Sequence, residues 1–315
     1  MIQASIVIPT CNRLKMLNCA VKSVVSAATK AELDSVSYEI IIVDDSGGPL
    51  SDIVIDNQSA PIHVFSNPTA PRGGPSSCRN FAVSQAKGEI IFFLDDDDLF
   101  LENRFVHCLP AFKQENVDVV LEPSIREVYV EGEKKEFISG PQGPVDNVFS
   151  WMLTGDVTTH IATGATSFRK SIFEQVGGLD ERLASCEDGE LLLRFCYLAK
   201  VKLIDIEPVV HCITHELNIS RESERRRFEN MRALKVLSQN LQTSEQSNPH
   251  NDSFLKHFIS AKLNYLLHCC YTDYAYFRGV IEGLHVLYYF RWDCLSVANI
   301  KSILVLLFKI RGQNS

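Results

Sequence analysis

Several common functional signatures are missing from this chain of 315 residues. Its ten cysteines include no CxxC pair, so the sequence predicts neither a cysteine zinc site nor a dithiol redox motif. Acidic residues outnumber basic ones by 39 to 31, and the net charge of −8 argues against a nucleic-acid-binding protein. No glycine-rich loop carrying a lysine is present, which argues against a P-loop NTPase.

Long apolar runs are also missing. No stretch reaches the roughly 18 apolar residues that a membrane span needs. The longest candidate, 300–310, is interrupted by Lys301, Ser302 and Lys309. The first residues lack the basic and apolar segments of an export signal, so we expect a cytoplasmic protein with reduced thiols.

What the sequence does contain is an alternation of strand and helix patterns over residues 4–125. Buried-strand patterns occur at 5–9, 39–43, 62–65, 90–94 and 117–121, and helical spacing at 14–28 and 76–87, with Gly88 as the expected helix stop. This alternation predicts an α/β fold with a Rossmann-like, mostly parallel sheet flanked by helices.

The pattern changes after residue 125. A hairpin is predicted from 127–130 and 136–138, a strand at 160–168, a helix at 187–198 and two short strands within 201–214, separated at Pro208. From residue 221 onward the pattern is helical, with about three helices in 254–310. We therefore expect a C-terminal helical extension.

Four consecutive carboxylates, Asp95–Asp98, follow the buried run Ile90–Leu94. In an open α/β sheet, ligands bind at the carboxyl ends of the strands. Like charges this close repel one another, and Mg²⁺ or Mn²⁺ bridging to a phosphate would neutralise them. The alternative is a solvated acidic turn.

Two further strand ends carry polar groups. After the first strand, the loop from Pro9 to Arg13 suits a base or a phosphate, although a capped helix start is the alternative. After the second, Asp44 and Asp45 could accept hydrogen bonds from a nucleobase or a ribose, the alternative being an Asx turn or a helix cap. If the strands are parallel, all these groups meet at one edge of the sheet.

Together these motifs resemble the family 2 glycosyltransferases with the GT-A fold. The resemblance covers about residues 3–220 and rests on 5–13, 41–46, Arg79-Asn80 before 86–89, 94–98, and 177–182 followed by Glu187-Asp188. It implies an inverting transfer from a nucleotide-sugar, for which we expect a UDP-sugar, to a glycan or lipid-linked glycan acceptor in surface polysaccharide synthesis. The main alternative is a catalytically inactive nucleotide-sugar-binding module.

The resemblance also divides the chain. Residues 1–220 would form the catalytic domain, with a nucleotide-sugar half over about 1–125 and an acceptor half over about 126–220. Residues 221–315 would form the helical region. A phosphotransferase with an aspartyl nucleophile is disfavoured, because that chemistry pairs the acidic strand end with a threonine, and Leu99-Phe100 follows here.

Residue roles follow from the same resemblance. Asp97 would bind Mn²⁺ or Mg²⁺. His215 would be a further ligand, the alternative being a histidine that forms hydrogen bonds within its loop, and His211 is a weaker candidate. The register within Asp95–Asp98 stays open by one position. The remaining donor-binding residues would be Pro9, Thr10, Arg13, Asp45, Arg72, Arg79, Asp95 and Asp96.

In the family pattern, Asp188 would be the general base that takes the proton of the acceptor hydroxyl. Glu187 and Gly164 would contact the acceptor or the sugar. The alternative for Glu187-Asp188 is an acidic first helical turn stabilised by the helix dipole.

Aromatic and basic residues occur together near the C-terminus, in 288–292, Lys301, Lys309 and Arg311. This composition is typical of a peripheral contact with anionic lipid, which would place the protein at the inner face of the cell membrane. The alternative is ordinary packing on the catalytic domain or a dimer contact.

Overall fold

The computed structural model describes residues 3–33, 37–49, 61–71, 73–114, 116–130, 133–140, 161–205, 207–213, 232–237, 239–241, 256, 259–260, 263, 266–267, 276–289 and 295–313. The chain divides into two compact units. The first comprises 1–148, 154–181 and 199–216, and the second comprises 149–153, 182–198 and 217–315.

Both β-sheets belong to the first unit. Their strands are β1 (Ala4–Thr10), β2 (Tyr38–Asp44), β3 (Ile62–Ser66), β4 (Ile90–Phe93), β5 (Leu99–Phe100), β6 (Val119–Leu121), β7 (Ser124–Val130), β8 (Glu133–Ser139), β9 (Thr166–Arg169), β10 (Val201–Leu203) and β11 (Val210–Cys212). The helices described in this unit are α1 (Leu14–Lys30), α2 (Gly74–Gln85), α3 (Cys108–Phe112) and α4 (Lys170–Gln175). The second unit contains α5 (Glu187–Leu198), α6 (Tyr276–Tyr289) and α7 (Val297–Gln313).

The larger sheet has seven strands in the order β10-β6-β9-β4-β1-β2-β3. Strand β1 is parallel to β2 and β4, β2 is parallel to β3, and β6 is parallel to β10. Only β9 runs antiparallel to its neighbours, β4 and β6, among the strands described in this sheet. The predicted mostly parallel α/β sheet is therefore confirmed.

A smaller sheet has the order β5-β11-β7-β8. Strands β7 and β8 form the predicted hairpin, with Val130 opposite Glu133. Strand β11 is parallel to β7 and antiparallel to β5. The two strands predicted within 201–214 both exist, but they belong to different sheets, because β10 pairs with β6 in the larger sheet.

The core of the first unit forms where α1 packs against the larger sheet. All seven residues of β1 and all seven of β2 are buried. Alternate strand residues such as Ile6 and Ile8 share one apolar cluster with Leu17 and Val21 of α1. Burial of this apolar surface is the main favourable term in folding, and it fixes the strand ends that carry the polar groups.

The prediction for the second helix was wrong at both ends. Helix α2 begins at Gly74, because Pro75 fits the first helical turn, and it ends at Gln85. Ala86 is already extended, with φ −64° and ψ 135°. Gly88 therefore does not stop the helix.

Gly88 instead permits a close approach to β1. A Cβ atom on Gly88 would lie 2.6 Å from the backbone carbon of Ala4 and from the nitrogen of Ser5. The Gly88 N–H donates to Ser5 Oγ at 2.9 Å, and the preceding Lys87 N–H donates to the buried Glu39 carboxylate at 2.6 Å. The glycine is thus required by contact with the strand.

The strand predicted at 160–168 is shorter in the structure. A 3₁₀ turn, Thr163–Ala165, precedes β9, and residue 160 lies outside the described residues. The helix predicted at 187–198 is confirmed as α5. In the C-terminal region, α6 and α7 agree with the predicted helical pattern.

Candidate functional site

The carboxyl ends of three adjacent parallel strands carry the predicted polar groups. Strand β1 ends at Thr10, β2 ends at Asp44, and β4 ends shortly before Asp95–Asp98. The parallel pairing of β1 with β2 and with β4 brings these ends to one edge of the sheet. The convergence expected from the sequence is therefore present.

Asp96 is the aspartate held most firmly within the acidic turn. Its side chain is fully buried, Thr10 Oγ1 donates to its Oδ2 at 2.6 Å, and Arg13 contacts its Oδ1 at 2.6 Å. Burial raises the pKa of Asp96 to about 6, although Thr10 and Arg13 act in the opposite direction. Helix α1 has no side-chain cap at its start. The Thr10 and Arg13 side chains that precede it instead contact the acidic turn.

Asp95 and Asp97 keep part of their surface exposed, 34% and 12% of the side chain. Arg13 Nη1 donates to Asp97 Oδ2 at 2.9 Å, and Arg79 pairs with Asp95. The Arg79 side chain is almost completely buried, and its guanidinium lies 5.6 Å from the centre of the Phe93 ring. Two arginines thus balance part of the negative charge of the turn.

Asp98 joins the acidic turn to the smaller sheet. Its Oδ1 accepts the N–H of Ile213 at 3.0 Å, and its carboxylate also accepts the thiol of Cys212. Loss of hydration, together with repulsion from Asp95 and Asp97, raises the pKa of Asp98. The end of β11 is therefore fixed against the turn.

The turn has suitable donors for a divalent cation. Asp95, Asp97 and Asp98 each present a carboxylate oxygen, and these oxygens all lie within 4.8 Å of one another. Hard cations such as Mg²⁺ and Mn²⁺ prefer oxygen ligands of this kind. The residues present fit such an ion.

Asp45 is held by the start of α2. Its Oδ1 accepts from Asn67 Nδ2 at 2.7 Å and from the Gly73 N–H at 3.1 Å, and its Oδ2 accepts from the Gly74 N–H at 2.9 Å. This is the helix-capping arrangement that the sequence left open as an alternative. Its role in donor binding stays a prediction.

Asn67 was missed by the sequence reasoning. It directly follows β3, is buried, and accepts hydrogen bonds from Thr69 and Ser77 while donating to Asp45. The signal was available, because Asn67 is one of the two polar residues, with Ser66, that follow the predicted strand at 62–65. The contact of Asp98 with Ile213 had no such signal.

The remaining predicted residues of the first unit lie close to this edge. Pro9 pairs with Val43 in the register of β1 and β2. Gly164 is buried in the 3₁₀ turn, where an added Cβ would lie 3.2 Å from Val210 Cγ1 and 3.6 Å from the Phe93 carbonyl. Arg72 and His215 lie outside the described residues.

His211 lies in a separate group on the smaller sheet. Its Nε2 is 3.1 Å from Glu127 Oε1 and 3.7 Å from Glu136 Oε1, and Lys134 also pairs with Glu127. His211 therefore faces these glutamates, while the neighbouring Cys212 contacts Asp98.

Glu187 and Asp188 belong to the second unit. Both lie in the first turn of α5, and Asp188 Oδ1 accepts the N–H of Gly189 at 2.7 Å. The same turn contains the buried Glu190, which pairs with Arg194 and accepts from Asn240 Nδ2 at 3.1 Å. The acidic helix start that was predicted as the alternative thus exists, and the role of Asp188 as a base stays a prediction.

Comparison with known proteins gives a consistent result. The family model described as "Glycosyl transferase family 2" matches residues 5–177. An uncharacterized glycosyltransferase of Haemophilus influenzae is 27% identical over 213 residues, covering 67% of this chain and 68% of that protein. A Campylobacter jejuni protein described as GalNAc(5)-diNAcBac-PP-undecaprenol beta-1,3-glucosyltransferase is 34% identical over 100 residues, covering 31% of this chain and 30% of that protein.

Among solved structures, the crystal structure of S. aureus TarS 1-349 in complex with UDP-GlcNAc superposes with a TM-score of 0.68. It is 16% identical and covers 99% of this chain and 92% of that chain. Among other curated relatives, this chain spans 28% of the length of a Rickettsia felis glycosyltransferase. The fold is thus shared with that structure, while each of these matches in sequence covers only part of this chain.

Proposed function

This chain belongs to glycosyl transferase family 2 and has the GT-A fold, and we propose that it transfers a sugar from a UDP-sugar to a glycan or lipid-linked glycan acceptor, with inversion at the anomeric carbon. The observation that carries the proposal is the acidic turn Asp95–Asp98. It lies at the carboxyl ends of parallel strands, with two arginines and Thr10 around it.

The proposed donor site uses this turn for the diphosphate. Asp97 would hold Mn²⁺ or Mg²⁺, with Asp95 and Asp98 beside it, and His215 remains a proposed further ligand. When bound, the cation would stabilise the negative charge of the leaving nucleoside diphosphate. Arg13 and Arg79 are cations at the same edge of the sheet, and they would add positive charge near the phosphates.

The choice of a UDP-sugar is supported by the solved neighbour that binds UDP-GlcNAc. We propose that Pro9, Thr10 and Asp45 line the nucleoside part of the site and that Asp96 lies near the ribose. A lipid-linked or polymeric acceptor is supported by the Campylobacter relative, whose description names an undecaprenol-linked glycan. A role in surface polysaccharide synthesis would follow.

Inverting transfer is a direct displacement at the anomeric carbon. The acceptor hydroxyl must lose its proton as it attacks, and we propose Asp188 as the carboxylate that accepts it. Glu187 and Gly164 would contact the acceptor or the sugar. Asp188 lies in the first turn of α5, directly after Glu187.

The first experiment is a calorimetric titration of the full chain with UDP, with and without Mn²⁺. We expect binding that requires Mn²⁺ and that falls at least about tenfold in Asp97→Ala, since the cation links the carboxylate to the diphosphate. Glu89→Gln is the matched control, because Glu89 is an exposed carboxylate paired with Arg169. Unchanged binding in Asp97→Ala would contradict the proposed site.

A measurement of turnover distinguishes an active enzyme from an inactive binding module. Asp188→Asn should keep UDP binding and lose at least about a hundredfold in sugar transfer or UDP-sugar hydrolysis, the usual scale for removing a general base. Equal turnover in Asp188→Asn would remove this residue from the mechanism. A wild-type protein that binds UDP without any turnover would favour the binding module.

A further inference from the structure

Exposed apolar side chains are concentrated in one part of this protein. In the described part of the chain, all but two of the large hydrophobic side chains that are exposed lie between Ile281 and Leu307. The two others, Val106 and Ile138, lie singly in the first unit. Scattered apolar side chains are normal on a protein surface, whereas a concentration of them marks an interaction site.

Helix α7 presents these side chains as a stripe. Val297, Ile300, Leu304 and Leu307 recur at intervals of three or four residues, which places them on one face of the helix. Val297 is 69% exposed and Leu304 is 48% exposed. Ile303 and Leu306 of the same helix are buried.

Helix α6 continues the exposed surface. Ile281, Leu284 and Tyr288 follow the same helical spacing and are exposed, while Val286 and Leu287 are buried. The two helices pack against each other. We call the exposed side chains of α6 and α7, from Ile281 to Leu307, the C-terminal apolar face.

The charged residues near α7 indicate which kind of partner this face binds. Residues 294–315 contain Lys301, Lys309 and Arg311 and no acidic residue, although the whole chain has a net charge of −8. Lys301 is exposed and lies next to Ile300 in the stripe. Apolar side chains combined with basic ones on a helix suit the headgroup region of an anionic bilayer.

A second copy of the chain is a less suitable partner for the C-terminal apolar face than an anionic bilayer. A symmetric dimer through α7 would place two like-charged segments against each other, because 294–315 of each copy contains Lys301, Lys309 and Arg311 and no acidic residue.

The helices are also unsuited to crossing a bilayer. Among the described residues, no helix is both long enough and apolar enough to do so. We propose that the C-terminal apolar face binds the surface of a bilayer that contains anionic lipid, with α6 and α7 lying in the headgroup region. This inference does not depend on the identity of the sugar donor.

Vesicle flotation tests this proposal. The full chain should float with vesicles that contain phosphatidylglycerol, should bind vesicles of pure phosphatidylcholine more weakly, and should lose anionic binding at high salt. The double substitution Ile300→Glu/Leu304→Glu should remove binding to both vesicles. Lys301→Gln should weaken only the anionic binding, by about fivefold, as expected for one basic residue.

The matched control is Ile138→Glu, which places the same charge on an exposed apolar residue of the first unit. It should float like the wild type. Each variant is first compared with the wild type by circular dichroism and by UDP binding, so that misfolding is recognised, and Lys301→Gln provides a mild test if the double variant unfolds. Wild-type binding to neither vesicle, or equal flotation of a folded double variant, would overturn the proposal.

Sedimentation of the same samples tests whether the C-terminal apolar face forms a dimer interface instead. A wild-type dimer that becomes monomeric in the double variant, without any flotation of the wild type, would assign the face to self-association and overturn the proposal. A monomer that floats would support it. Loss of UDP binding in all proteins would count against the proposed function and leave the flotation result intact.

Discussion

At the scale of single residues, four adjacent aspartates occupy four different environments. Asp96 is buried against Thr10 and Arg13, Asp98 accepts the amide of Ile213, and Asp95 and Asp97 stay partly exposed. Arg13 contacts both Asp96 and Asp97. It therefore supplies positive charge at the place where the proposed cation would bind.

This geometry gives a prediction for Arg13→Gln. We expect the variant to bind Mn²⁺ about tenfold more tightly than the wild type in the absence of nucleotide, because a competing cation has been removed from the carboxylates. It should also unfold at a lower temperature in the presence of a chelator, since the aspartates then repel one another. Calorimetry and thermal unfolding measure the two effects.

Lys202→Gln is the control for this prediction. Lys202 is a half-buried cation that donates to Gln114 at 2.7 Å and does not contact the acidic turn, and its loss should change neither quantity. Weaker Mn²⁺ binding by Arg13→Gln would mean that Arg13 chiefly holds the carboxylates in place.

At the scale of elements, the end of α2 and the start of β4 depend on contact with β1. The segment after Gln85 crosses β1 so closely that Gly88 has no space for a side chain. The buried Glu39 on β2 accepts hydrogen bonds from Ser5 at 2.6 Å and from the Lys87 N–H. These contacts position the strand that leads into the acidic turn.

Gly88→Ala should therefore destabilise the protein, by about 1–3 kcal/mol, the usual cost of forcing extra atoms into a packed core. Gly189→Ala is the comparison, because an added Cβ there meets no atom within 4 Å and Gly189 lies in helix α5. That change should be neutral or stabilise by up to about 1 kcal/mol. Urea unfolding measures the stability of both variants. A Gly88→Ala protein as stable as the wild type would show that the backbone of β1 shifts at little energetic cost.

At the scale of the whole molecule, a buried ion pair connects the two sheets of the first unit. Arg104 and Glu122 are both fully buried and paired. The Arg104 guanidinium lies 4.7 Å from the ring centre of Phe92 in the larger sheet and 5.2 Å from that of Phe100 in the smaller sheet. Burial raises the pKa of Glu122 to about 7, and Arg104 acts in the opposite direction.

Arg104→Met should cost roughly 3–5 kcal/mol at neutral pH, because it leaves the Glu122 carboxylate buried without its counter-ion. The cost should be greater at about pH 8 than at about pH 6. Arg104 lowers the pKa of Glu122, so its removal raises that pKa further and makes the folded variant favour protonated Glu122. The free energy of unfolding of the variant therefore falls as pH rises through the pKa of Glu122 in the folded protein. Urea unfolding at the two pH values measures the difference.

The double variant Arg104→Met/Glu122→Leu provides the control. It removes both charges, so it should recover much of the stability lost in Arg104→Met and should lose the added pH dependence. A double variant as unstable as Arg104→Met would mean that the packing of Arg104 on the phenylalanine rings, not its charge, holds the sheets together.

Much of the first unit could be predicted from local patterns. The strands β1, β2, β3 and β4 and the helix α1 all appear where the periodicity placed them, because the spacing of apolar residues directly reflects which side of an element is buried. The acidic turn, Thr10 and Arg13 were selected because they follow buried strands. The error at Gly88 arose because a glycine needed for close packing has the same sequence signal as a helix stop.

Local patterns predicted most strands of the first unit, the sheet edge at which polar residues gather and the family resemblance, since each motif lies within a few residues of the chain. The three-dimensional structure was needed to show that β9 enters the sheet antiparallel between β4 and β6. It also decided that Asp45 is held by α2 and that Asp98 is bonded to Ile213, 115 residues away. These contacts join distant parts of the chain, and their energies depend on packing that no local pattern records.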